Sequence, residues 1–135
     1  MNGEAPAGFH GMALGLLRIV SGLLFLQHGA QKLFGLFGGF MGEAGQTAPF
    51  FSLMGLGGVL EFFGGLAILL GFFTRPVAFI LSGEMAVAYF MFHQGNAFWP
   101  IQNQGETAVL YCFVFLLLSA AGAGRFAIHG RAGKE

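Results

Sequence analysis

Any chemistry in this chain falls to a short set of polar side chains set in apolar sequence. Arg18, Gln27, His28, Gln31 and Lys32 stand in one apolar run, Glu61 in a second, and Glu84 and His93 in a third; Glu106 opens a fourth, just after Asn103 and Gln104. An ionisable group inside a bilayer is costly, so it faces the protein interior, pairs with an opposite charge or lines a wet cavity. The chemistry open to such a set is hydrogen bonding and proton transfer, with lysine or histidine as donor and a carboxylate as relay. Glu61 or Glu84 is expected to pair with Lys32, Arg18 or a histidine, or else to carry a proton. No nucleophile with a neighbouring base and no clustered metal-ligand spacing is visible. His28 and His93 on facing helices could hold a haem b, but Lys32 and Glu106 nearby would make an unusually charged haem pocket, so that reading is disfavoured.

Spacing sharpens the set. His28, Gln31 and Lys32 lie three and four residues apart and share a helical face. Gly57, Gly58, Glu61, Gly64 and Gly65 fall on one stripe, and small residues mark the face where membrane helices approach closely, so Glu61 is expected to be buried in protein. Ser82, Gly83 and Ala86 surround Glu84 in the same way. The candidates for a ligand pocket are therefore His28, Gln31, Lys32, Glu61, Glu84, His93 and Glu106; Arg18 and Arg75 are candidates for ion pairing or structure, and no residue is assigned as catalytic. Each has a plainer role as well. Lys32 could snorkel to the interface, Glu106 could cap its helix, His93 could be an interface histidine, Arg75 a topology anchor, and Glu61 with Glu84 a lock for the bundle.

Four elements must position these groups. Hydrophobic residues make up 56% of the chain and charged residues 9%, against about 25% charged in a soluble domain. A membrane helix needs about 20 apolar residues, and runs of that kind extend from Gly11 to Phe34, Phe50 to Phe73, Pro76 to Phe92 and Gly105 to Ala123. The runs are continuous rather than alternating, which excludes strands. The reading is an all-α membrane protein, a single domain over residues 1–135 built as a four-transmembrane-helix bundle. The first span is too long for a signal-peptide core, and Glu4 rather than a basic residue precedes it, so it is expected to be retained. Arg75, Arg125, Arg131 and Lys134 share one side, with Arg18 about two turns in, and only Lys32 serves the other, so both termini are expected in the cytoplasm. The polar groups then gather in the outer half of the bundle. Zero net charge leaves no case for nucleic acid, and the single cysteine, Cys112, forms no dithiol centre.

The chain resembles the DoxX family of small bacterial membrane proteins. The resemblance rests on Leu16-Leu17-Arg18, Gly22, Phe25 and His28-Gly29-Ala30-Gln31-Lys32-Leu33-Phe34-Gly35, then Gly57-Gly58-Val59-Leu60-Glu61-Phe62-Phe63-Gly64-Gly65, Gly71, Thr74-Arg75, Glu84-Met85 and Asn103-Gln104-Gly105-Glu106. It implies a four-helix protein of the bacterial inner membrane, with Arg18, His28, Gln31, Lys32, Glu61, Arg75, Glu84 and Glu106 at the family's recurring polar positions. Where the family pattern often has a second glycine, Gln104 precedes Gly105. Some members are subunits of thiosulfate:quinone oxidoreductase and others belong to thiol and oxidative-stress systems.

The function expected is that of a redox-linked membrane subunit, with a quinone headgroup or small sulfur compound in a polar intramembrane pocket open to the outer side. Electrons would come from a partner, because the chain has no redox centre of its own. The alternative is a non-catalytic accessory or assembly subunit within a larger membrane complex. Besides lipid, the expected partners are other membrane subunits or further copies of the chain. A small-solute or lipid carrier is less favoured, for want of an internal repeat or an interrupted helix.

Overall fold

The computed structural model describes residues 8–128; Glu4, used in the signal-peptide argument, and Arg131 and Lys134, used in the orientation argument, lie outside them. The described chain is all helical, without strands. Helix α1 spans Gly8–Phe34, α2 Leu53–Leu70, α3 Thr74–Ala88, α4 Pro100–Asn103 and α5 Glu106–Ala121, with a π-helical turn at Tyr89–His93 continuing α3. Three helical segments, Gly8–Phe34, Leu53–Leu70 and Thr74–His93, are long and apolar enough to cross a membrane; Glu106–Ala121 is apolar but shorter.

Local chemistry explains the boundaries. Ser52 caps α2, its Oγ accepting from Gly55 N at 3.1 Å. Gly71 ends α2 in the left-handed region, where Phe72 N reaches Ala67 O (2.8 Å) and Gly71 N reaches Ile68 O (3.1 Å). That pair of bonds closes the last turn and reverses the chain within three residues. Between α1 and α2, Ala48 N donates to Lys32 O (2.7 Å), which folds the loop back over the end of α1.

Helices α1 and α2 form one closely packed antiparallel pair, α3 and α5 the other, and α2 meets α3 between the pairs. The α1–α2 seam is built from glycines seven residues apart. A Cβ on Gly22 would sit 2.5 Å from Leu69 N, one on Gly29 2.2 Å from Phe62 N, and one on Gly65 2.7 Å from Leu26 N, all backbone atoms of the opposite helix. Only glycine permits that approach. Gly64, on the flank of the same stripe, faces Leu81 of α3 instead. The α3–α5 pair is joined by Ser82 Oγ, which donates to Cys112 O at 2.8 Å. Phe25, Ile68, Leu81, Phe115 and Leu118 fill the core between the pairs, with Phe25 edge-on to Phe115 at a centroid distance of 4.9 Å. Large apolar side chains such as Leu24, Phe63, Phe79, Leu110 and Phe113 cover the outside. Such a surface suits lipid and not water.

Candidate functional site

The glycine seam carries the polar groups of α1 and α2 to one place. Lys32 lies in the last turn of α1, where its Cβ would touch a Cβ on Gly58 at 3.0 Å. Pressed against α2, its ammonium turns inward: Nζ donates to Glu61 Oε1 at 2.8 Å and Oε2 at 2.7 Å. Glu61 is 2% exposed. Lys32 is therefore an interior partner rather than a surface snorkel.

Glu84 of α3 joins this pair. The position a Cβ would take on Gly57 lies 3.4 Å from Glu84 Oε2, 3.5 Å from Glu61 Oε2 and 3.9 Å from Lys32 Nζ. Three ionisable groups from three helices thus converge around one missing side chain. One cation faces two carboxyl groups there, and it bonds only one of them. Glu84 Oε1 is buried and has no hydrogen-bond partner, the most costly state for a polar atom away from water.

The cluster forms one wall of a cavity of about 630 Å³ between α1, α2, α3 and α5. Phe25, Leu60, Met85, Ala88, Met91 and Tyr111 make much of the rest apolar. His28 reaches the same space and meets the Tyr111 ring edge-on at 6.1 Å. His93, at the end of the π-helical turn, lines it from the loop end. Its Nδ1 lies 3.1 Å from Asn103 O. A carbonyl only accepts, so Nδ1 carries the proton and Nε2 of the neutral ring is an acceptor. Asn103 is itself fixed: Nδ2 donates to Tyr89 Oη (3.0 Å) and Ala97 O (3.1 Å), and Oδ1 accepts from Gly105 N (2.8 Å).

The remaining candidates lie elsewhere. Gln31 donates to Phe37 O at 2.9 Å and tethers the first loop. Glu106 is exposed beside Trp99, Ile101 and Leu110 in a shallower groove. Arg18 sits at the opposite end of the bundle, donating to the carbonyls of Ala123 (2.5 Å), Arg125 (3.0 Å) and Phe126 (2.8 Å). Arg75 donates to Ala120 O at 3.1 Å and Ala121 O at 3.5 Å, at the end of α5. Tyr111 was not among the sequence candidates, although a tyrosine in an otherwise apolar span was a visible signal. Tyr89 was missed for the opposite reason, since an aromatic residue before a loop reads as an interface anchor.

An all-helical chain with an apolar exterior, membrane-length helices and charges turned inward is a membrane protein. The family model DoxX matches residues 13–94, and the chain belongs to that family. It is 40% identical over 121 residues to an uncharacterized protein of Haemophilus influenzae, covering 87% of this chain and 89% of that one. It is 32% identical over 124 residues to the inner membrane protein YqjF of Escherichia coli, covering 82% of this chain and 85% of that protein. No solved structure matches it.

Proposed function

We propose that this DoxX protein is a redox-linked subunit of the bacterial inner membrane whose cavity receives the ring of a quinone. The observation that carries the reading is the cavity itself: about 630 Å³, mostly apolar, with a lysine, two carboxyl groups and a histidine gathered on one side. Ligand sites for ring-sized molecules are of this size and character. A small sulfur oxyanion would need neither the volume nor the apolar walls, so the ring is the better fit. The ring's redox chemistry belongs to the ligand, and electrons come from a partner chain. This chain's part is to seat the ring beside Lys32, Glu61 and Glu84, to exclude water with Phe25, Met85 and Tyr111, and to hold a proton within reach of a ring oxygen.

The proposed topology has four spans, α5 being the fourth, with both termini cytoplasmic. Arg18, Arg75 and Arg125 at one end against Lys32 towards the other support that orientation. The site then opens on the periplasmic side.

The test is binding of a short-tailed benzoquinone to the purified protein in detergent, read by quenching of Trp99 and by thermal protection. Micromolar binding is expected, falling at least tenfold in His28→Ala and Glu61→Gln. Normal binding by both variants would place the ring elsewhere. No binding at all, with both variants assembling normally into a larger complex, would leave the accessory-subunit reading in its place.

A further inference from the structure

Four helices bound the cavity, and three of the seams between them are closed by contacts. Between α1 and α2 the glycines bring backbone against backbone. Between α3 and α5 Ser82 Oγ donates to Cys112 O. Between α1 and α5 the rings of Phe25, Tyr111 and Phe115 stack at centroid distances of 4.9 to 5.7 Å, and His28 extends that wall against Tyr111.

The seam between α2 and α3 is different. These helices are joined through Gly71–Phe73 and rise from the turn together, so Gly64 and Leu81 stand level, about 10 Å along. There they pack: a Cβ on Gly64 would lie 2.8 Å from Leu81 Cδ2. Further from the turn they part. The nearest atom of α3 to the Gly57 Cβ position is the tip of the Glu84 side chain, at 3.4 Å, and a Cβ on Gly83 would meet nothing within 4 Å. Two positions that could fill the gap are thus glycine. Leu56, Ile80 and Val87 line the cavity and are also more than half exposed on the outside. The cavity therefore runs through this gap to the apolar outer surface, with Glu61 and Lys32 deeper inside.

From a cavity whose charges lie inside and whose one unfilled seam meets the lipid-facing surface, we propose that the gap between α2 and α3 is a lateral portal. The ligand is a lipid-soluble quinone that enters sideways from the outer half of the bilayer; its ring lies beside Lys32 and Glu61, and its hydrocarbon tail leaves through the gap. This rests on the proposed function and topology above. A cavity of about 630 Å³ suits a ring-sized molecule and does not enclose a long tail as well. Lipid chains are as apolar as leucine, so a tail gains nothing by leaving them for a protein slot. The portal lets the ring enter the protein while the tail stays in lipid, and Gly83 at its rim keeps the way clear.

The experiment uses the full chain in detergent with two probes, a methoxy-substituted benzoquinone without a tail and the same ring carrying a ten-carbon tail. Both are expected to bind the wild type with similar affinity once each is referred to its concentration in the micelle. Gly83→Phe and Val87→Phe add a ring to the rim from exposed positions, and each should weaken the tailed probe relative to the untailed one by about tenfold or more. Phe113→Ala, exposed on α5 and outside the cavity wall, should keep the wild-type ratio. A diazirine on the tail next to the ring should, on illumination, mark α2 and α3 beside the gap. Circular dichroism checks that the variants remain folded. If the wild type binds only the untailed probe, or if neither rim variant changes the ratio, or if Phe113→Ala changes it equally, the portal is refuted and the quinone reading stands. Marking confined to α1 and α5 refutes it too. If neither probe binds, the quinone reading falls and takes the portal with it.

Discussion

The glycine seam makes a quantitative prediction at Gly29. A Cβ there lies 2.2 Å from Phe62 N, 2.6 Å from Phe62 Cα and 2.8 Å from Glu61 C. Ordinary contact begins at about 3.4 Å, so α2 must retreat by about 1.2 Å to admit one methyl group. The obstacle is backbone, which cannot rotate away as a side chain can. A gap of that size along the seam forfeits a quarter to a half of the dispersion energy of the atoms it separates. Overpacking of this kind costs about 3 kcal/mol at the upper end of its range, and alanine's better helix propensity returns about 1 kcal/mol. Gly29→Ala should therefore lose about 2 kcal/mol net. Gly83 is the control: it is helical and has nothing within 4 Å of its Cβ position, so Gly83→Ala should be neutral or gain up to about 1 kcal/mol. The closest contacts lengthen from Gly29 to Gly22 to Gly65, at 2.2, 2.5 and 2.7 Å, and the losses should fall in that order. Reversible unfolding in mixed micelles, followed by circular dichroism and by labelling of the half-buried single thiol Cys112, measures all four variants. If Gly29→Ala and Gly83→Ala unfold within about 0.5 kcal/mol of each other, far below the roughly 2–3 kcal/mol expected here, the close approach of α1 and α2 is wrong.

Other outcomes follow from the same contacts. Lys32→Met leaves Glu61, 3% exposed at its side chain, without its cation, and should cost about 3 kcal/mol in the same unfolding assay; Lys32→Met/Glu61→Gln should recover at least half of that, as expected when the loss is a stranded buried charge. Arg18→Lys keeps the charge but replaces the two separate guanidinium nitrogens that reach Ala123, Arg125 and Phe126 by a single ammonium nitrogen, so the segment after α5 should loosen and tryptic cleavage after Arg125 should speed up; an unchanged rate would show that Arg18 does not hold it. On the four-span topology, a fluorescent protein fused to the C-terminus should glow in the cytoplasm and a phosphatase inserted at Gly45 should be active in the periplasm, and the reverse pattern would invert the orientation.

Much of this architecture is readable from composition and spacing. The apolar runs locate α1, α2, α3 and α5 to within a few residues, because continuous hydrophobicity at membrane length has one common solution. The inward face of α2 is visible in the stripe holding Gly57, Gly58, Glu61, Gly64 and Gly65. The matching pair on α1, Gly22 and Gly29, has the same spacing but is diluted by leucines, and its meaning depends on what it meets: Gly15, one heptad earlier, faces the Arg125 backbone instead of α2. Spacing groups His28, Gln31 and Lys32 on one face, yet they part company in space: Lys32 turns to Glu61 and Gln31 to the loop carbonyl of Phe37. Gln31 and Lys32 are adjacent and so point about 100° apart around the helix, which lets one meet the loop while the other meets α2. The Asn103–His93 linkage could not be read at all, since it depends on the π-helical turn and on where the following loop returns.

Arg18 shows how an intramembrane charge can look functional and be otherwise employed. It is 0% exposed and far from the carboxyl cluster. Helix α5 has 16 residues, about 24 Å of length, against a hydrocarbon core of about 30 Å. On the proposed topology, non-helical backbone after Ala121 must complete the crossing, and its carbonyls would face a medium with no donors. Arg18 supplies donors to Ala123, Arg125 and Phe126, and Arg75 supplies them to Ala120 and Ala121. A guanidinium can do this because its donors are spread in a rigid plane and it stays protonated at any ordinary pH. The two arginines thus act as solvent for the end of a helix that is too short. This division of labour frees Lys32, at the other end of the same helix, to be the cation that pairs with Glu61 beside Glu84, on the wall of the cavity.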